Sequence, residues 1–224
     1  MLRTLIGATA LSVMVGTSAR AQPNPRLFAG AVAGIATLSA DARSEITPAG
    51  ADVSLYKPEN GPALNVFFGV HLQDYVTVQA NYVWNRNDLT LTSVRASTEP
   101  ALYEQPRTAS QHALVGDVLA YFRERRSAVR PYLSVGLGVV RLHTNEAGPS
   151  VARGAAVPPT NTLAATRPLL RVAVGMDVAL RMGWSARYSF SESLSGNPIS
   201  AQLSPPGQRN LANFQNLFGL VRTF

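Results

Sequence analysis

From Leu64 to Trp84 the chain alternates. Leu64, Val66, Phe68, Val70 and Leu72, then Val76, Val78, Ala80, Tyr82 and Trp84, are apolar or aromatic. Between them stand Asn65, Phe67, Gly69, His71, Thr77, Gln79, Asn81 and Val83, which are mostly polar or small. Period two on both sides of a short break at Gln73–Tyr75 predicts a β-hairpin with one apolar face. Each arm runs for about 9–10 residues, the length a tilted strand needs to cross a bilayer. The pattern returns in a strand from Gln111 to Phe122, with Leu114, Gly116, Val118, Ala120 and Phe122 opposite Asp117. It returns again from Tyr132 to Leu142, where Leu133, Val135, Leu137 and Val139 oppose Ser134, Gly136 and Gly138. From Leu169 to Leu180 every second residue from Leu170 on is aliphatic or Met, and Arg171 and Asp177 lie on the other face. Trp184, Ala186, Tyr188 and Phe190 alternate with Ser185, Arg187, Ser189 and Ser191. Asn210–Phe224 and a weaker first segment, Arg26–Leu38, complete eight strands.

The stretches Ser39–Gly61, Arg86–Ala109, His143–Thr166 and Ser193–Gln208 read as long loops. They alternate with short connections at Gln73–Tyr75, Arg123–Arg130 and Arg181–Gly183. The expected fold is all-β, an eight-stranded antiparallel up-and-down barrel with its long loops at one end. In the last short loop Gly183 is expected to take a left-handed conformation. Leu180 opposite Trp184 then puts Asp177 opposite Arg187, and an ion pair between them is expected inside the barrel.

A soluble barrel and a membrane barrel share this alternation, and the second face separates them. It holds Gly, Ala, Ser, Asn and Gln rather than Lys and Glu, and it alone carries the mid-strand charges Asp117, Arg171, Asp177 and Arg187. A cation on a lipid-facing midplane costs about 2–4 kcal/mol, so a bilayer enforces such segregation. Arg141 and Arg222 fall on the apolar face, but at strand ends. Aromatic residues gather at those ends, Trp84 and Phe190 at one level and Tyr75, Phe122, Tyr132, Trp184, Phe218 and Phe224 at the other. The reading is a transmembrane β-barrel with Asn65, Gln79, Asn81, Asp117, Arg171, Asp177 and Arg187 as a polar lumen network.

Composition adds the compartment. Arg3, the apolar run Leu5–Val15 and Ala19-Arg20-Ala21 have the form of a secretory signal peptide over residues 1–21. Residues 22–224 are then the barrel domain, expected in the outer membrane of a Gram-negative bacterium. The termini are expected in the periplasm and the long loops outside. The 224-residue chain has no Cys and a formal net charge of +7. Its Arg residues are scattered between strands rather than run together with aromatics, which argues against nucleic acid as a partner.

The ending L-F-G-L-V-R-T-F, with Phe214, Phe218, Leu220 and the terminal Phe224, resembles the C-terminal signature read by the outer-membrane assembly machinery. G-D-V-L-A-Y-F (116–122) and R-P-Y-L-S-V-G-L-G (130–138) are similar to the middle of the small outer-membrane β-barrel domain family, the OmpA/OmpX/OmpW-like barrels. The resemblance spans residues 27–224. Asn216 and Arg222 depart from the apolar pattern of the signature. The resemblance implies periplasmic chaperones and the barrel-assembly machinery as partners during biogenesis, with Phe218, Leu220 and Phe224 as the assembly signal.

Three functions fit such a chain: a structural or interaction barrel working through its loops, a narrow path for small apolar solutes, and a lipid A-modifying enzyme. An eight-stranded interior is just wide enough for side chains to fill, and Phe67, Gln79, Asn81, Arg171, Asp177 and Arg187 are expected to fill it. Ser110, His112, His143 and Glu192 lie near the long-loop ends of strands, yet no H-x-S spacing marks a nucleophile and base, so no enzyme is expected. No cofactor or metal is expected either, with no Cys and no two His close in sequence. Arg86, Arg107, Arg141, Arg167 and Arg209 fall at or near long-loop strand ends. There they are expected to meet lipopolysaccharide phosphates, which Arg binds bidentately.

Overall fold

The computed structural model describes residues 26–40, 46–47, 50–57, 60–95, 103–152, 162–196 and 210–224. The signal segment 1–21 and Arg209 lie outside the described residues. Eleven strands form one antiparallel sheet system: β1 (Arg26–Ala40), β2 (Ile46–Thr47), β3 (Gly50–Lys57), β4 (Asn60–His71), β5 (Val76–Arg95), β6 (Tyr103–Tyr121), β7 (Val129–Glu146), β8 (Val151–Ala152), β9 (Leu163–Ala179), β10 (Trp184–Gly196) and β11 (Asn210–Thr223). Eight of them, β1, β4, β5, β6, β7, β9, β10 and β11, pair in that order, and β1 pairs with β11 to close a barrel. The strands β2, β3 and β8 are short additions at the long-loop end, where β3 pairs with the end of β5 and β8 with the start of β6.

The stagger of the barrel follows from its register. Directly opposed partners run from Gly30 through Phe67, Asn81, Val115, Gly138, Leu169, Ser195 and Leu211 and return to β1 at Ala40, a shift of ten residues. Eight strands with that shift tilt by roughly 40° and enclose a radius of roughly 8 Å. An even shift also keeps inward positions inward all the way round. The predicted outward face is outward throughout: Val66, Phe68, Leu114, Val118, Leu133, Val135, Leu137, Val172, Val174, Phe218 and Leu220 are all exposed.

So narrow an interior demands small residues beside large ones. On three inward rungs a ring faces a glycine directly: Phe67 opposite Gly30, Phe28 opposite Gly69, and Tyr132 opposite Gly175. A Cβ on Gly30 would stand 2.6 Å from Phe67 Cζ, and one on Gly175 would stand 2.5 Å from the Tyr132 hydroxyl. Tyr132 is therefore a lumen residue, 3% exposed, and not part of the aromatic girdle expected from its strand-end position.

Three of the expected loops are in part strand. β5 continues to Arg95 and β6 begins at Tyr103, paired as far as Ser93↔Tyr103. β7 reaches Glu146 and β9 begins at Leu163. Part of the first expected loop is β3. The alternation does not stop there; its phase inverts. Inside the barrel the inward residues of β5 pass from Gln79, Asn81, Asn85 and Asn87 to Leu89 and Leu91. With Leu38, Ala109, Leu142, Leu163 and Leu211 these two leucines form one buried apolar cluster. The outward residues at that level are polar and bond across strands, Thr108 Oγ1 to Asp88 Oδ1 at 2.9 Å and Thr162 Oγ1 to Asn145 Oδ1 at 2.9 Å. Below this level the apolar face looks out; above it the apolar face looks in.

The loop between β9 and β10 holds Gly183 at φ 77°, as expected, and also Met182 at φ 57°. Met182 goes unsignalled because an unbranched apolar side chain has no preference for the left-handed region. The register that follows is the expected one, with Leu180 N donating to Trp184 O at 2.8 Å and Arg187 opposite Asp177.

Replacing Gly175 by Val tests the ring-on-glycine packing. The new side chain displaces Tyr132 in a lumen with no spare width, and overpacking of this kind costs about 1–3 kcal/mol. Urea unfolding of the barrel in lipid vesicles is expected to show a lower midpoint for Gly175→Val, partly restored by adding Tyr132→Ala.

Candidate functional site

All seven residues assigned to the lumen network point inward and are buried. They join one hydrogen-bonded column. At the short-turn end Arg130 lies 3.8 Å over the Tyr121 ring and donates to Asp74 O at 3.0 Å. Tyr121 donates to Asp177 Oδ2 at 2.8 Å. Arg187 grips Asp177 with both edges of its fork, Nε to Oδ1 at 2.6 Å and Nη2 to Oδ2 at 2.7 Å. It also donates to Gln79 Oε1 at 2.8 Å and Tyr121 Oη at 2.9 Å, with the Phe67 ring 4.7 Å away. Gln79 and Asn65 both donate to Asn81 Oδ1, at 2.6 and 3.2 Å, and Asn81 donates to Asp117 Oδ2 at 3.1 Å. Arg171 meets the same Asp117 oxygen at 2.7 Å and reaches Ser191 Oγ at 3.2 Å.

Towards the long-loop end Asn213 donates to Asn85 Oδ1 and Gln111 Oε1, both at 2.9 Å. The leucine cluster sits beyond that layer. Arg107 lies in the same strand extension, 0% exposed, bonded to Thr144 Oγ1 at 3.0 Å and Gln105 Oε1 at 2.7 Å. The expectation that Arg107 meets lipid phosphate is thereby corrected. Its odd position on β6 shares the inward phase of Asp117, so its side chain turns into the barrel. At the short-turn mouth a cavity of about 180 Å³ is lined by His71, Arg125, Arg130, Asp177, Trp184 and Arg187, among others.

The outer wall near the long-loop end carries the remaining candidates. Arg86, Arg141 and Arg167 are exposed there. Tyr82 Oη is 2.7 Å from His112 Nδ1, and Ser110 Oγ is 3.3 Å from His112 Nε2. His143 stands directly across from Ser110. Glu192, on β10, lies across from Val172 and Phe214 and joins none of these. A search for H-x-S misses the grouping because the order here is S-x-H and Tyr82 comes from the neighbouring strand. Phe218, Leu220 and Phe224 are outward and exposed. Arg222 lies 5.4 Å from the Trp184 ring and donates to Met182 O, which holds its charge at the strand end. Among the described residues no group of three or more His, Cys, Asp or Glu is placed to hold a metal ion.

Arg187 is the hub of the column, and a double-mutant cycle measures its coupling to Asp177. Removing either partner alone strands a charge in the lumen and is expected to cost about 3–5 kcal/mol. Asp177→Ala combined with Arg187→Ala is expected to cost clearly less than the sum of the two. Urea unfolding in vesicles reads the difference, and strictly additive losses would show that the pair is uncoupled.

The outer membrane protein beta-barrel domain model matches residues 6–216 of the chain. Among solved structures, Neisserial surface protein A (NspA) is similar with a TM-score of 0.56 and 14% identity, over 88% of this chain and 97% of its own. OprG from Pseudomonas aeruginosa is similar with a TM-score of 0.50 and 13% identity, over 89% of this chain and 96% of its own. At these identities the likeness is one of fold. A search of the curated proteins finds no match by sequence. The family match covers most of the chain and agrees with the closed eight-stranded barrel: the chain belongs to the outer membrane protein beta-barrel domain family, whose members are proteins of the Gram-negative outer membrane.

Proposed function

We propose that the protein works from its outer wall and its long-loop end, as a structural and interaction barrel of the outer membrane, and does not conduct solutes through its lumen. The observation that carries this reading is the filled interior. In its lower half Arg187, paired with Asp177, reaches across the lumen to Gln79 on β5, and Arg171 on β9 reaches Asp117 on β6. The leucine cluster and the Arg107–Thr144–Gln105 bonds occupy the upper part. An eight-stranded barrel leaves no width beyond such side chains. In planar bilayers the refolded protein is expected to give no steady conductance above leak. Stable open-channel currents would overturn the reading.

The long-loop end faces outward in this proposal, since membrane barrels place short turns in the periplasm and longer loops outside. The exposed Arg86, Arg141 and Arg167 then stand at the level of lipopolysaccharide phosphates, which guanidinium groups bind as bidentate partners. Phe218, Leu220 and Phe224 form an outward apolar row available to the assembly machinery. A chain without Cys makes orientation simple to read. A membrane-impermeant maleimide is expected to label Ala147→Cys on intact cells, and Asp74→Cys only after the outer membrane is opened. The reverse pattern would invert the topology.

A further inference from the structure

Three polar side chains meet on the outward wall at the level where the apolar face ends. Ser110 and His112 are two residues apart on β6 and therefore share a face. Ser110 Oγ lies 3.3 Å from His112 Nε2, and Tyr82 Oη lies 2.7 Å from His112 Nδ1. Each ring nitrogen thus has its own partner. The hydroxyl on Nε2 has a proton to give up, and in the tautomer whose Nδ1–H donates to the phenol oxygen Nε2 is free to take it. A nucleophile, a base and an orienting group in this relation define a hydrolytic triad by geometry rather than by sequence order. We propose that Ser110, His112 and Tyr82 form an ester-hydrolysing site on the outside of the barrel, acting on the acyl esters of phosphate-bearing membrane lipids.

The level fits that substrate. From Phe122, just past the short-turn end of β6, the chain spans ten residues back up to His112. On a strand tilted roughly 40° that is roughly 25 Å of height, the height of the apolar band of outer-membrane barrels. An acyl ester sits at this boundary, with its chain along the outward wall of Leu114, Val118 and Val139 and its headgroup above. The charge fits as well. Arg86 stands directly across from Ser110 on β5, and Arg141 directly across from His112 on β7. Directly opposed residues have Cβ atoms about 4.5–5.5 Å apart. Among the described residues neither Arg has a carboxylate partner. Both guanidinium groups are available to a lipid phosphate, and Arg86 flanks the oxyanion that develops beside Ser110.

The reaction balances with water as the second substrate. Ser110 Oγ bonds to the ester carbonyl carbon as its proton passes to His112 Nε2. The tetrahedral intermediate collapses, the carbon–oxygen bond to the lipid alcohol breaks, and His112 returns the proton to that oxygen. Water then attacks the acyl-serine, giving one proton to His112, which passes it back to Ser110 Oγ as the fatty acid leaves. Ser110 and His112 are the catalytic residues; Tyr82 is a positioning residue.

The test uses the full barrel refolded in vesicles, with heat-modifiable migration on a gel as the check on folding. One set of vesicles is phosphatidylglycerol; the other contains lipid A. Released fatty acid is measured by mass spectrometry, and a fluorophosphonate probe reports a reactive serine. The wild type is expected to release fatty acid, and Ser110→Ala and His112→Gln are expected to lower the rate at least ~100-fold while remaining folded. Tyr82→Phe is expected to lower kcat ~10-fold with KM unchanged, the rate being taken per folded barrel from the heat-modifiable band so that loss of folded protein does not mimic it. Arg86→Gln with Arg141→Gln is expected to raise KM. Release from phosphatidylglycerol alone supports the site with a glycerophospholipid as substrate; release from lipid A alone supports it with an acylated phosphosugar. Wild-type release no greater than that of Ser110→Ala in both vesicles, or probe attachment only at another residue, would overturn the proposal.

Discussion

A chain that crosses hydrocarbon must pair every backbone N–H and C=O within itself. Closure is the constraint on which everything else in this molecule depends. Eight strands with a shift of ten residues have one radius, and roughly 8 Å leaves room for side chains and little else. The interior is then a packing problem in which polar groups must find one another. Glycines lie under the rings of Phe67, Phe28 and Tyr132 for lack of width. Arg187 uses its whole fork, on Asp177, Gln79 and Tyr121, because for a buried charge an unmade hydrogen bond is the expensive alternative. Closure also turns every second side chain of the apolar band outward, so the same alternation that builds the lumen builds the membrane surface.

Most of the barrel was legible in the sequence because lipid and lumen make opposite demands on alternate residues. The pairing Arg187↔Asp177 could be read from a three-residue loop and the need for Leu180 and Trp184 to face the same way. The strand extensions were not legible. At Asn87 to Leu91 the inward face changes from amide to leucine, because beyond the hydrocarbon the outside is water and the barrel folds there as soluble sheets do. A reader following one apolar face sees it end and infers a loop, whereas the strand continues with the opposite phase. Arg107 was misplaced for the same reason: a strand-end position suggested the rim, and its parity sends it inside.

Candidate sites were less legible than the fold. The seven lumen residues were assigned from parity alone, which is enough to choose a face. Which of them touch requires the register and the stagger: Arg171 reaches Asp117 from β9 to β6, two strands that are not neighbours in the barrel. The Ser110–His112–Tyr82 grouping has a similar history. Two of its members are two apart in sequence, but the third is 28 positions before Ser110 and becomes a neighbour only through the β5–β6 register that puts Tyr82 opposite Leu114, one rung below His112.

A filled lumen also bears on where chemistry is possible. A substrate that lives in the bilayer approaches such a barrel only from the side, and a side chain on the outward midplane meets hydrocarbon, where neither a proton nor a water is at hand. At the upper edge of the apolar band both are available. Tyr82 marks that edge from below, still among apolar neighbours. Asp88 and Thr108 mark it from above, bonded to each other in the polar phase. Ser110 and His112 lie between the two, with Arg86 and Arg141 on the flanking strands. The phase inversion that hid the strand extensions from the sequence therefore does more than lengthen the barrel. It places one band of residues where the apolar outer wall gives way to the polar one, and the hydrogen-bonded serine and histidine stand in that band.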